Sequence, residues 1–242
     1  MIPRLPLLLS CLLLVPLSLH AQDKPAPEKP KFFEPVKQDI EGWTVWVEPA
    51  LLDGEHKELG AKSLTMLRNH LQRIAILIPE PQLGKLRKLE LWIERHHDLA
   101  SMQYHPDVDW LQEHGYDPRL TKKVHIPRAE ELLSREQMLK HPAVILHELA
   151  HSYHDQVLGF EDKGIMAAYD AAMKAGSYEK SLLHTGKIVK HYATTNHKEY
   201  FAEATEAYFY RNDFYPFVAA ELKIHDPTGY AEMERVWGKL KE

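Results

Sequence analysis

Two histidines four residues apart set the strongest structural requirement in this chain: the segment His147-Glu148-Leu149-Ala150-His151. It lies in a helical pattern that Pro142 can begin and Gly159 can end. On a helix the two imidazoles lie about 40° apart around the axis and about 6 Å apart along it, so both can bind one metal ion. Glu148 sits about 100° round from His147, where it can reach a metal-bound water without being a ligand. The segment therefore predicts an active-site helix that binds Zn²⁺.

A hydrolytic zinc site usually has three protein ligands and one open position, so the chain must supply a third donor. The longer motif that places this donor further along the same helix is absent, because His154 and Val157 occupy its glycine and final ligand positions. His154 lies on the ligand face but about 10.5 Å from His147 along the axis, too far to share one ion. We expect His154 to be a polar residue at the rim of the site or the partner of a nearby acid.

A second helix offers a better donor. The segment from Tyr192 to Ala204 runs into this helix, which we expect to end near Arg211, and Glu199 and Glu203 repeat the four-residue spacing on it. Glu199 and Glu203 are both candidates for the third ligand, with Asp155 or another histidine as alternatives. Glu206 lies on the same stripe and is expected to be part of a solvated face.

These two segments resemble the gluzincin type of the zincin metallopeptidases, most closely its lethal-factor branch. The resemblance covers roughly residues 141–211 and rests on His147-Glu148-x-x-His151 and on Tyr192-x-x-x-Asn196-x-x-Glu199-x-Phe201-Ala202-Glu203-Ala204. It implies that His147, His151 and Glu199 bind zinc and that Glu148 is the general base. It further implies that Tyr192 stabilises the oxyanion and that Glu203 holds a ligand histidine. Many gluzincins have Asn-Glu where this chain has Lys198-Glu199, with Asn196 displaced.

The chemistry of the residues agrees with this assignment. Zinc makes water a usable nucleophile near neutral pH, and Glu148 can take its proton. Tyr192 is the leading donor to the oxyanion, with His184, His191 and His197 as alternatives. Glu203 is expected to accept the free ring N–H of a ligand histidine, His147 if the two helices are antiparallel.

The rest of the chain predicts an α+β fold of zincin-like type. We expect a strand at Trp43–Val47, a helix over Lys57–Ile78 ended by Pro79, and a strand at Leu89–Glu94. Residues 37–141 would form a small α/β half with a mixed sheet, and residues 142–242 an α-rich half. Leu89–Glu94 is either the edge strand on which a peptide substrate lies or an ordinary half-buried strand.

The N-terminus has the pattern of an exported protein. Residues 1–21 carry a short apolar run and a small-residue cleavage site ending at Ala21, as in a secretory signal peptide. Residues 22–36 contain four prolines among charged residues and are expected to form a linker. Cys11, the one cysteine, would be removed with the signal, and lipidation there is the minor alternative. The mature protein is expected to be secreted or periplasmic.

The charge balance limits the partners. A net charge of -5 gives no basic field for nucleic acid, and no membrane association is expected after signal cleavage. Two functions remain: a zinc-dependent metallopeptidase or related amidase that acts on peptides or proteins, or a non-catalytic zinc-binding protein. Glu148 favours the enzyme, because metal storage does not require a general base. The sequence does not indicate the oligomeric state.

Overall fold

The computed structural model describes residues 32–240, which form a mixed α+β fold with a small mixed sheet and several helices. The predicted α+β class is therefore confirmed. The main sheet lies in the N-terminal half, and the C-terminal half is mostly helical. The predicted signal peptide, residues 1–21, and residues 22–31 of the predicted linker lie outside the described residues.

Five strands form the main sheet: β1 (Val36–Ile40), β2 (Trp43–Val47), β3 (Glu90–Ile93), β4 (Gln103–Tyr104) and β5 (Lys123–Ile126). Their order is β1-β2-β3-β5-β4. β3 is parallel to both of its neighbours, β2 and β5, whereas β1 and β4 pair antiparallel at the two edges. The predicted strand at Trp43–Val47 is confirmed. A separate hairpin joins β6 (Ser181–Leu182) to β7 (Ile188–Val189).

β3 corrects one expectation about substrate binding. The strand predicted at Leu89–Glu94 exists, but it is the central strand of the sheet and cannot be an edge. Leu91 and Ile93 are buried in the main core, and Trp92 is buried in a smaller core on the opposite face with Leu111 and Leu120. Because both faces of β3 are covered, its alternation of residue types does not mark a solvent-exposed face. The two edge positions belong to β1 and to β4, and β4 has only two residues.

The folded domain begins earlier than predicted. Val36, assigned to the linker, is the first residue of β1, and the ring of Phe33 packs 5.6 Å from that of Trp92. Arg119 donates hydrogen bonds to the carboxylate of Glu34 at 3.0 Å and to the carbonyl of Phe33 at 2.6 Å. Residues 33–36 are therefore attached to the domain by specific contacts.

Nine helices are found among residues 32–240, apart from short 3-10 and π segments. They are α1 (Lys57–Leu77), α2 (Gln82–Leu86), α3 (Val108–Glu113), α4 (Arg135–Lys140), α5 (Val144–Tyr153), α6 (Lys163–Ala175), α7 (His197–Phe209), α8 (Ala219–His225) and α9 (Pro227–Trp237). α1 confirms the helix predicted over Lys57–Ile78, and its Leu67, Leu71 and Ile74 are buried in the core shared with the sheet. None of the helices in this described range is long and apolar enough to cross a membrane.

α5 carries the two predicted metal-binding histidines through the centre of the domain. Nine of its ten residues are buried, including the apolar Leu146, Ala150 and Tyr153. After Tyr153 the helix widens into a π-helical turn over His154–Leu158, which Gly159 ends with a φ of 86°. A side chain is strained at that φ, so a glycine fits this position.

α7 lies against α5 and holds the second predicted segment. Asn196 caps its N-terminus, because its side-chain oxygen accepts hydrogen bonds from the backbone N–H groups of Lys198 and Glu199 at 2.9 and 3.0 Å. Every residue from Tyr200 to Phe209 is buried, since α5, α6, α8 and α9 pack around the helix. The helix ends at Phe209, two residues before the predicted end.

Candidate metal centre

Three predicted donor atoms meet between α5 and α7. The Nε2 atoms of His147 and His151 lie 3.1 Å apart. Glu199 Oε2 lies 3.3 Å from the Nε2 of His147 and 3.2 Å from that of His151. The side chains are between 5% and 18% exposed, so the group is largely buried but still reaches solvent. Among the alternatives for the third ligand, Glu199 is thus the acid that reaches both imidazoles.

The size of this triangle fits a tetrahedral zinc ion. Zinc bonds to nitrogen and oxygen are about 2.0–2.2 Å long, which places neighbouring ligand atoms of a tetrahedron about 3.3–3.5 Å apart. The observed separations of 3.1, 3.2 and 3.3 Å are within a few tenths of an ångström of that range. Two imidazoles and one carboxylate also form the donor set that zinc uses in hydrolytic sites. The residues therefore fit the metal that the sequence predicts.

The charges of the three residues support the same role. Burial alone would raise the pKa of Glu199, but hydrogen bonds and charge from His147 and His151 hold that pKa well below its usual range. Glu199 is therefore ionised at neutral pH, as a metal ligand must be. Its position in the first turn of α7 adds to this effect, because the N-terminus of a helix stabilises negative charge.

Glu148, the predicted general base, is buried beside the triangle. It is 7% exposed, and no hydrogen bond to its carboxylate is found within residues 32–240. Burial raises the pKa of Glu148, while the neighbouring imidazoles of His147 and His151 partly offset that rise. Its carboxylate is therefore available to a substrate or a water in the site.

Tyr192, the predicted oxyanion donor, begins a short 3-10 helix, Tyr192–Thr194, just before α7. The residue is 49% exposed, and its hydroxyl makes no hydrogen bond to the described part of the chain. Partial burial raises the pKa of Tyr192, and the charge of Glu199 raises it further, so the hydroxyl keeps its proton. Two of the alternative donors are engaged elsewhere: His197 donates to the Phe160 carbonyl at 2.8 Å, and His191 accepts from the Ala193 N–H at 3.0 Å.

The carboxylate that holds His147 is Glu206, so the role predicted for Glu203 is wrong in this structure. Glu206 Oε1 lies 2.6 Å from His147 Nδ1, whereas the nearest oxygen of Glu203 lies 3.9 Å away. Glu206 is completely buried, which also contradicts its predicted place on a solvated face. A second histidine, His141, donates from Nε2 to the same Glu206 oxygen at 2.9 Å.

The carboxylate of Glu203 instead binds another side chain of the C-terminal half. Its Oε2 accepts a hydrogen bond from the side-chain amide of Asn212 at 2.8 Å. Burial raises the pKa of Glu203, and the nearby negative charge of Glu206 raises it further. Burial acts in the same direction on Glu206, but the charge and hydrogen bonds of His141 and His147 hold the pKa of Glu206 below its usual value, so Glu206 carries the charge and Glu203 favours its protonated form.

Two other residues singled out in the sequence lie away from the metal triangle. His154 was expected at the rim, but it is completely buried, with its ring 5.0 Å from that of Phe201 and 5.3 Å from that of Phe160. Burial, with the nearby His197, lowers the pKa of His154 to about 3, so the ring is neutral. Asp155 accepts a hydrogen bond from the hydroxyl of Tyr104 at 2.5 Å and forms an ion pair with Lys122, so it is not the third ligand.

His141 is the functional candidate that the sequence did not reveal. It directly precedes Pro142 and shares no helical spacing with the two ligand histidines, so no periodic pattern marks it.

Compared with models of known protein families, with curated proteins and with solved structures, the chain matches none of them. The functional assignment therefore rests on the residues and geometry of the centre.

Proposed function

We propose that this chain is a zinc-dependent metallopeptidase of zincin-like fold, which hydrolyses peptide bonds in peptide or protein substrates. The observation that carries the proposal is the triangle of His147, His151 and Glu199 with the carboxylate of Glu148 buried beside it. Zn²⁺ held by these three residues would supply a Lewis acid and an activated water for attack on the scissile carbonyl.

Glu148 is assigned the proton transfers of the reaction. In this role it accepts the proton of the attacking water and passes it to the amine that leaves when the peptide bond breaks. The raised pKa of Glu148 suits both steps, because a carboxylate with a pKa closer to neutral is a stronger base toward the water and, once protonated, still gives its proton to the more basic amine. Its carboxylate forms no hydrogen bond to described residues that would have to break first.

Tyr192 is assigned the stabilisation of the oxyanion. Its hydroxyl is protonated, half-exposed and close enough to the centre for the charge of Glu199 to act on its pKa. A donor of this kind strengthens its hydrogen bond as negative charge develops on the substrate oxygen.

We also propose that the protein is exported, because residues 1–21 have the composition of a cleaved signal peptide. A secreted or periplasmic location is compatible with the chemistry of the site, which uses no thiol. The zincin-like assignment is supported by a small mixed sheet with an antiparallel edge strand, β4, and by an active-site helix, α5, packed against α7.

The purified protein can be tested for hydrolysis of a mixed peptide library, with metal content measured on the same sample. We expect about one zinc per chain, and activity that a chelator removes and zinc restores. The variant Glu148→Gln should keep its zinc and lose about 10²- to 10⁴-fold in kcat, the usual contribution of general acid–base catalysis.

The same assay separates the proposed enzyme from a non-catalytic zinc-binding protein. Zinc bound at full occupancy without hydrolysis of any library peptide would favour metal binding alone. Full activity in Glu148→Gln would contradict the mechanism, since no other residue is assigned its proton transfers.

A further inference from the structure

The buried carboxylate of Glu206 receives two imidazole N–H groups at one oxygen. His147 Nδ1 lies 2.6 Å from Oε1 and His141 Nε2 lies 2.9 Å from the same atom. The His141 and His147 rings are nearly perpendicular, with an interplanar angle of 81° and centroids 5.2 Å apart. The three side chains thus form a chain of hydrogen bonds, which runs from His141, just before α5, through Glu206 on α7 to His147 in the metal triangle.

This contact determines which nitrogen of His147 is free to bind a metal. An ionised carboxylate only accepts hydrogen bonds, so the Nδ1 of His147 must carry the proton that Glu206 accepts. A neutral imidazole with its proton on Nδ1 has its lone pair on Nε2. Nε2 is the atom that faces Glu199 and His151. Glu206 therefore selects the form of His147 that can act as a ligand.

His141 gives Glu206 a second donor and fixes its position. The side chain of His141 is 19% exposed and precedes Pro142, so it joins the beginning of α5 to the C-terminal half of α7. The other oxygen of Glu206, Oε2, is buried and finds no hydrogen-bond partner in the described residues. His141 is thus the one side chain besides His147 that holds this carboxylate within that range.

We propose that His141 and Glu206 are a positioning pair that holds His147 in the tautomer and orientation required for metal binding. The proposal rests on the proposed zinc site and adds to it two residues outside the ligand motif. A second metal bound by His141, His147 and Glu206 is the competing explanation. The separations of 2.6 and 2.9 Å favour hydrogen bonds, because they are shorter than the roughly 3.3 Å expected between ligands of one tetrahedral ion.

Zinc affinity, measured by competition with a chromogenic chelator, tests the pair. Loss of a residue that orients a ligand typically weakens metal binding about 10- to 100-fold. We expect this loss in Glu206→Leu, which offers neither imidazole an acceptor, and about 10-fold in His141→Leu. The variant His141→Gln should stay within about threefold of wild type, because a glutamine amide replaces the Nε2–H donor. The Co²⁺-substituted protein should show an altered visible spectrum in the first two variants and an unaltered one in the third.

A matched control removes a buried imidazole elsewhere. His125 is completely buried and its Nδ1 lies 3.0 Å from His105 Nε2, on the face of the sheet that carries Trp92. His125→Leu should lower the thermal midpoint without changing zinc affinity. An equal loss of affinity in His125→Leu and His141→Leu would show a general effect of destabilisation and would overturn the proposal.

A measurement on the zinc-loaded wild type does not depend on whether any variant folds. In ¹⁵N-histidine-labelled protein, we expect His147 to bind zinc through Nε2 and to keep a slowly exchanging proton on Nδ1. Ligation through Nδ1, two zinc ions per chain, or wild-type affinity in His141→Leu would each overturn the proposed pair. Failure of the wild type to bind zinc would instead overturn the proposed function, so the two failures are distinguishable.

Discussion

Replacing the carboxylate of Glu199 tests the geometry of the centre most directly. Glu199 Oε2 is one of three donor atoms at 3.1–3.3 Å from one another, so Glu199→Gln leaves two imidazoles and no charged ligand. Zinc sites with four protein ligands bind with apparent free energies of about 10–16 kcal/mol, or about 2.5–4 kcal/mol for each ligand. A loss of about 3 kcal/mol corresponds to roughly 150-fold weaker binding. We expect the dissociation constant for zinc to rise by about two orders of magnitude.

Glu203→Gln is the matched control for this change. Glu203 is one turn further along α7 and is buried, but its carboxylate bonds Asn212 and lies 3.9 Å from His147 Nδ1. A glutamine has the same shape and can keep an acceptor for the Asn212 amide, so we expect zinc affinity within about threefold of wild type. Competition with a chelator and metal analysis after dialysis measure both variants. An empty site in Glu203→Gln together with full occupancy in Glu199→Gln would refute the assignment of Glu199 as the third ligand.

Two further predictions concern stability. Gly60→Ala should lower the free energy of unfolding by at least about 1–3 kcal/mol, because the added Cβ would lie 1.8 Å from the carbonyl oxygen of Leu51. Urea denaturation measures this loss, and an unchanged midpoint would contradict the close packing of α1 against Leu51. Asn196→Ala should cost about 0.5–2 kcal/mol through loss of the N-cap of α7, whereas Asn196→Asp should retain most of the stability. Equal thermal midpoints for the two Asn196 variants would show that the cap contributes nothing.

The sequence predicts local structure well where one short periodic pattern decides it. The four-residue spacing places His147 and His151 on one face of any helix, and α5 has that geometry whatever packs around it. α1 is similarly determined by its apolar spacing and by Pro79, which follows its end. The need for a third donor is a chemical requirement, whereas the choice of Glu199 among the candidate donors came from the resemblance to gluzincins.

The choice between Glu203 and Glu206 could not be made from the sequence. Relative to Glu199, the two acids lie about 40° and -20° round α7, so both share its stripe. Which one meets His147 depends on how far α7 is displaced along α5. In the structure Glu199 meets His151 and Glu206 meets His141, so the helices are antiparallel and His147 lies between the two acids. That displacement is set by packing, which periodicity does not report.

The sheet shows the same limit. Alternation within Leu89–Glu94 predicts a strand, but it does not say which strands pair with it. β1 and β4 escaped prediction because each is short and made partly of polar residues: β1 reads Val-Lys-Gln-Asp-Ile, and β4 has only Gln103 and Tyr104. β5, which pairs with β3 on the side away from β2, is not predicted by the sequence either, and without it β3 is open to interpretation as an edge.

The contact between α5 and α7 is better suited to fixing donor positions than to stabilising the fold. Removing an ionised carboxylate from water costs several kcal/mol of free energy. In Glu206 this cost is offset by two imidazole donors that bind the same oxygen. Its other oxygen has no hydrogen-bond partner in residues 32–240. Apolar residues of similar volume in such a place are often as stabilising or more so. An apolar contact could not orient the ring of His147. A hydrogen-bond acceptor at this point does so, because it directs the lone pair of His147 Nε2 toward Glu199 and His151. Stability and metal binding are therefore expected to respond differently to changes at this contact.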